Sequence, residues 1–210
     1  MSALLSNVQI IKSNLKNNLF PHLILTLLLF LLTPAIFSIS HLNARAAAAP
    51  METFVALCGM LLLTPIYYPE QKGVINETVE AKYVNHLWII FLRFLTAWVL
   101  TALAILLFAG IMLYCGSTIT GRLILGTFAS AIFLGALGML TSCISENIAV
   151  GYMIPVIYYA FNFAMGPKLG NFYLFSLTGD SFAEKPWLVG GSIVLAAAAF
   201  GVQYVRMKRR

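Results

Sequence analysis

Long apolar runs separated by short polar intervals organise this chain. No Asp, Glu, Lys or Arg occurs between Lys16 and Arg45, Glu52 and Glu70, Arg93 and Arg122, Arg122 and Glu146, Glu146 and Lys168, or Lys185 and Arg206. Most of these intervals match the ~20 residues that an α-helix needs to cross ~30 Å of hydrocarbon. Strands are excluded by the missing dyad pattern of a membrane barrel, and helices satisfy their own backbone in lipid. The pattern predicts an all-α, polytopic membrane protein with spans near 19–40, 47–68, 87–113, 122–145, 148–166 and 187–205. The second span is crowded by Pro50 and Glu52 at its start and by Pro65 and Pro69 at its end; proline is nonetheless commoner in membrane helices than in soluble ones.

Two polar intervals carry patterns of their own. Over residues 3–18, Leu4, Val8, Ile11, Leu15 and Leu19 recur at helical spacing, with Ser6, Asn7, Ser13, Asn14, Lys16 and Asn17 around them. Residues 1–18 are therefore expected as an interfacial amphipathic helix, preceding a membrane domain over 19–205 and a basic tail over 206–210. Between the second and third spans, about 69–86, Val74, Ile75, Val79 and Tyr83 can share one helical face while Glu77 and Glu80 lie elsewhere. A short amphipathic helix or a solvated linker both fit this segment. The interval 166–186 is too long for a tight turn and too apolar for a solvated loop, holding Phe172, Tyr173, Leu174, Phe175, Leu177 and Phe182.

Charge sets the expected orientation. With the N-terminus inside, Lys12, Lys16, Lys72, Lys82, Arg93, Arg206, Lys208, Arg209 and Arg210 fall on the inner side and Arg45, Arg122, Lys168 and Lys185 on the outer. That asymmetry puts both termini in the cytoplasm of a cell (plasma) membrane protein. Composition agrees with a membrane location: 60% of residues are hydrophobic and 10% charged, with a mean hydropathy of +0.89. The net charge of +6 is then the basic tail beside anionic lipid rather than a nucleic-acid surface. Lys12 and Lys16 before an apolar run resemble a secretory leader, but the uncharged stretch Leu19 to Ser40 exceeds the 7 to 15 residues of a usual signal core, so a retained span is expected.

Catalytic chemistry is sparse. The sequence contains no GxxxxGK[ST], HExxH, GxSxG or CxxC, and His22, His41 and His86 are scattered; neither a catalytic site nor a metal site is expected. Cys58, Cys115 and Cys143 read as small apolar residues. Glu52, Glu70 and Glu146 map to helix ends, which leaves no carboxylate at mid-depth for ion coupling and disfavours a secondary transporter. Small residues in the fourth and sixth spans, such as Gly126, Gly135, Gly138, Gly190 and Gly191, fit close helix packing. Asn162, beside Tyr158 and Tyr159, is the most polar residue at depth. These three are the candidate pathway residues, with a hydrogen bond to a neighbouring helix as the other use of Asn162.

The layout resembles the type-2 ABC-transporter permease family. The likeness is strongest in Thr64-Pro65-Ile66-Tyr67-Tyr68-Pro69-Glu70-Gln71 followed by Glu77, Glu80, Lys82 and Arg93. It implies an exporter subunit that forms its pathway with a second permease copy, either another copy of this chain or a related permease. It further implies a separate ATPase subunit that supplies ATP and Mg chemistry, this chain binding no cofactor itself. Coupling would rest on Glu70, Lys72, Ile75, Glu77, Val79, Glu80, Lys82 and Tyr83. The alternative is a non-transporting accessory or immunity protein that binds a partner or membrane lipid.

Overall fold

The computed structural model describes residues 9–71 and 86–209. Helix of one kind or another accounts for 87% of these, with no strand among them. Six helices are long and apolar enough to span a membrane: α1 (Gln9–Ile36), α2 (Ala44–Tyr67), α3 (His86–Tyr114), α4 (Gly121–Ser145), α5 (Ile148–Met165) and α6 (Lys185–Arg209). Short polar caps set several boundaries. Asn43 accepts from the Ala46 N–H, Thr120 from that of Leu123 and Asn147 from that of Ala149, each satisfying one of the donors left over at a helix start. Glu146 closes α4 at φ 53, so α4 and α5 are joined by a single tight reversal.

Helices α2 and α4 form the centre. The most apolar window of each is 72% buried, against 17% to 28% in the other four, whose outward faces are aliphatic and aromatic. Lipid tails are as apolar as leucine, so close van der Waals fit has to hold the two central helices together. A Cβ on Gly59 would lie 2.0 Å from the Ala131 carbonyl oxygen, and one on Gly138 would lie 2.1 Å from Thr64 Oγ1. At Gly59 backbone touches backbone and at Gly138 a neighbouring hydroxyl fills the space, so neither position has room for a Cβ.

The two ends of the bundle differ. At the connection end, residues 37–43, 115–120 and 173–184 meet. The Thr118 N–H donates to Leu42 O at 2.8 Å, Arg45 Nε to Thr178 O at 3.2 Å, and the Arg122 guanidinium stands 5.4 Å from the centre of the Phe182 ring. At the terminal end, Arg206 donates to Cys143 O and, at 2.8 Å, to Ile144 O, and pairs with Glu146 at 3.1 Å. This cation covers carbonyls left unpaired at the end of α4. Cys58 and Cys143 are buried free thiols, and Cys115 is half-buried.

A separate amphipathic unit over 3–18 is not what the described part forms. Residues 9–36 are one helical run, passing through a π turn at Leu15–Leu19, and residues 1–8 lie outside the described residues. Part of the polar side turns inward: Asn14 and Asn18 are buried, and Asn18 Nδ2 donates to Pro65 O at 3.0 Å, while Ser13, Lys16 and Asn17 stay exposed. The physical reason lies in α2. The carbonyl of Pro65 takes only the Tyr68 N–H of the 3-10 turn, since the α-helical donor would be residue 69, a proline that has none, and its second lone pair is open to Asn18.

Replacing Gly59 by Val is expected to lower stability by about 1–3 kcal/mol or more through overpacking. Gly190→Ala, where a Cβ meets nothing within 4 Å, should leave stability unchanged. Thermal unfolding of the two variants in detergent checks the difference.

Candidate functional site

Helix α2 is irregular where it matters. An α-helical stretch Ala44–Pro50 gives way to a π turn, Met51–Val55, before α-helix resumes at Leu57–Leu63 and tightens to 3-10 at Thr64–Tyr67. Single π turns inside α-helices recur at functional sites, and this one holds Glu52. Eight residues inside α2, at 1.5 Å per residue, Glu52 sits roughly 12 Å below the helix start. Its carboxylate is fully buried. The expectation that Glu52 marks a helix end is therefore corrected: the helix begins at Ala44, earlier than residue 47, and carries the carboxylate inward.

Lys185, the first residue of α6, meets it. The ammonium is buried and donates to Glu52 Oε1, to Ser130 Oγ at 2.8 Å and to Leu174 O at 2.6 Å. All three of its protons are thus assigned. Glu52 also accepts the N–H of Leu177 at 3.2 Å and that of Thr178 at 3.1 Å, the exposed donors at the start of the 3-10 turn Ser176–Gly179.

The segment between α5 and α6 explains why these charges are tolerated. After Met165 the chain makes a 3-10 stretch, Gly166–Phe172, and then folds inward, with Leu174, Phe175, Ser176 and Leu177 buried. Its backbone is not helical enough to satisfy itself, which at membrane depth is tolerable only when protein groups supply the partners. They do. Asn162 Oδ1 accepts the Leu174 N–H at 2.9 Å, Ser130 Oγ donates to Leu174 O at 3.1 Å, and Tyr158 Oη donates to Phe172 O at 2.5 Å. Phe175 then packs among Tyr159, Phe163 and Tyr173, with ring centres 4.6 to 5.9 Å apart.

Two titratable groups border the seat outside the spans. Burial, and next the negative charge of Glu52, push the Tyr173 phenol up. For Glu184, burial pulls upward, but the Ser181 hydroxyl at 2.7 Å, further hydrogen bonds and nearby Lys185 outweigh it and hold the carboxyl below its ordinary range.

The candidate pathway residues come together here. Asn162 is fully buried, and its Nδ2 donates to Tyr158 O at 3.0 Å. Tyr159 Oη donates to Thr53 O at 2.5 Å, a carbonyl in the π turn where the ordinary i+4 register is broken. The polar atoms of Tyr158, Tyr159 and Asn162 are thus engaged with backbone. Of the coupling residues, Lys72, Ile75, Glu77, Val79, Glu80, Lys82 and Tyr83 lie outside the described residues. Glu70 falls in the short helix Tyr68–Gln71, its side chain likewise outside them. Among the described residues no group of three or more His, Cys, Asp or Glu could hold a metal.

Sequence reasoning missed Glu52 and Lys185. The signal available was a single acidic residue inside an apolar run and a single lysine before Pro186 and Trp187, which are separated by 133 positions and share no local pattern. No protein-family model, curated protein or solved structure matches this chain.

Asn162→Leu keeps the branching of the side chain but strands the Leu174 N–H, and should cost about 1–3 kcal/mol. Tyr159→Phe removes one hydroxyl from an accepting carbonyl and should cost about 1 kcal/mol. Thermal unfolding in detergent should therefore rank Asn162→Leu below Tyr159→Phe.

Proposed function

We propose that this chain is the membrane subunit of an ATP-driven exporter of the type-2 ABC permease kind, paired with a second permease copy and a separate ATPase. The observation that carries this reading is the unlikeness of the bundle's two ends. One end brings together Gln71 and His86, which border the charged connection in the sequence, with Gln9 and Arg209, the outermost described residues of α1 and α6, as a docking face for a soluble partner requires. The other is closed by an inward-folded segment seated on polar side chains, as the outer mouth of a pathway requires. ATP and Mg act in the partner, and the cargo favoured by the aromatic lining is an amphiphilic peptide, antibiotic or lipid.

Orientation follows the basic residues. Lys12, Lys16, Arg206, Lys208 and Arg209 crowd the terminal end, and the sequence adds Lys72 and Lys82 between α2 and α3, which supports that end as the cytoplasmic one in a cell membrane. Burial in an ion pair removes Lys185 from the opposing tally, which strengthens the asymmetry.

Cysteines replacing Arg45 and Asp180 should react with a membrane-impermeant thiol reagent on whole cells, and those replacing Glu77 and Arg209 should not. Labelling of Glu77→Cys from outside would invert the topology.

Coupling is tested in the 69–86 connection. A Glu77→Lys, Glu80→Lys double change should weaken co-purification of the ATPase or uncouple its turnover from transport in reconstituted vesicles. Ile75→Asp should do more damage, since a charge forced into a desolvated contact costs several kcal/mol. Full partner binding and transport in both variants would remove the coupling role. Failure of the chain to alter ATP turnover by any co-purifying ATPase would instead favour an accessory or immunity protein.

A further inference from the structure

A buried charge pair is a poor device for stability alone. Desolvation offsets much of the attraction, and apolar replacements of like volume are often neutral or stabilising; its best-attested use is to fix a register or to switch. Neutral side chains already satisfy most of the inward-folded segment, through Asn162, Ser130 and Tyr158. Glu52 and Lys185 do something more specific. They grip the segment at two places, the Leu174 carbonyl through Lys185 and the N–H groups of Leu177 and Thr178 through Glu52. They also lie on different helices.

The segment is preceded by backbone in conformations that glycine adopts readily. Gly166 (φ 57, ψ −141) and Gly170 (φ 58, ψ −128) both take conformations that side-chain-bearing residues rarely adopt. A Cβ at either position would meet nothing within 4 Å, so packing is not the reason for glycine there. At its other end the segment runs directly into Lys185. A shift of the start of α6 away from α2 therefore parts the ammonium from Glu52 and from Leu174 in one step, and loosens both grips together.

We propose that residues 173–184 form a gate that lifts from the bundle as a unit, with Glu52 and Lys185 as its charge latch and Gly166 and Gly170 as its hinge. Opening hydrates both charges at once, which returns much of their lost solvation and makes the open state accessible. An all-apolar seat would gain nothing from that exposure.

The test uses the full-length chain, purified in detergent, with Cys58, Cys115 and Cys143 replaced by Ala and one reporter cysteine added. Ser176→Cys reports the seat. Thr101→Cys, at a fully buried position of α3 whose hydroxyl bonds only within its own helix, to Ala97 O, reports the bundle. A water-soluble maleimide should modify Ser176→Cys slowly and leave Thr101→Cys unmodified on that timescale. Glu52→Gln or Lys185→Met should speed Ser176→Cys by about tenfold or more, the equilibrium worth of a hydrogen bond to a charged group, with Thr101→Cys still unmodified. Ser130→Ala leaves the pair intact and removes one acceptor from Lys185, so a several-fold rise is expected; it serves if the pair variants do not fold. An unchanged Ser176→Cys rate in all the variants that fold overturns the latch, and equal acceleration of both reporters overturns the gate as a separate unit. The measurement needs neither ATP nor a partner, so its outcome is independent of the exporter reading.

Discussion

Every backbone N–H and C=O within hydrocarbon must find its partner inside the protein, and this constraint accounts for nearly all the polar chemistry at membrane depth in this chain. At several departures from the regular i to i−4 register, a side chain from another element supplies the partner. Pro65 removes the donor to Leu61 O, and Tyr152 Oη supplies one at 3.3 Å. At Pro65 O, where Pro69 offers no N–H, Asn18 joins the Tyr68 N–H. The π turn frees Thr53 O, which Tyr159 occupies. The inward-folded segment, with the largest deficit, draws Asn162, Ser130, Tyr158 and the charge pair.

This gives the irregularities of α2 a role. A straight helix would carry Glu52 on an ordinary α-helical face and would leave Tyr152 and Tyr159 of α5 without their acceptors on α2. The π turn and the prolines instead create a row of carbonyls that α1 and α5 must cover, and thereby fix how those helices lie on α2. The glycine contacts between α2 and α4 add the complementary constraint, setting how closely the two central helices approach. Together they give a rigid centre with more loosely held helices around it.

The family likeness expected from the sequence rests on residues 64–93, and the buried charge pair belongs to no part of it. The pair brings an intramembrane carboxylate and ammonium together at the end opposite Gln71 and His86, and such groups within spans mark sites of function rather than of mere packing.

The sequence by itself determined the number of helices and their order along the chain, because span length and charge spacing are local properties that hydrocarbon thickness reads directly. It also determined that Asn162 would hydrogen-bond or line a path, though not which. Only the tertiary structure decided the rest. Asn18 of α1 turns inward to Pro65 O, where Pro69 offers no α-helical N–H, a fact about a different helix. Glu52 and Lys185 became partners across 133 positions because α2 begins early, α6 begins deep and the chain between α5 and α6 folds back. Such meetings depend on where separate helices end in space, and no local pattern of residues records that.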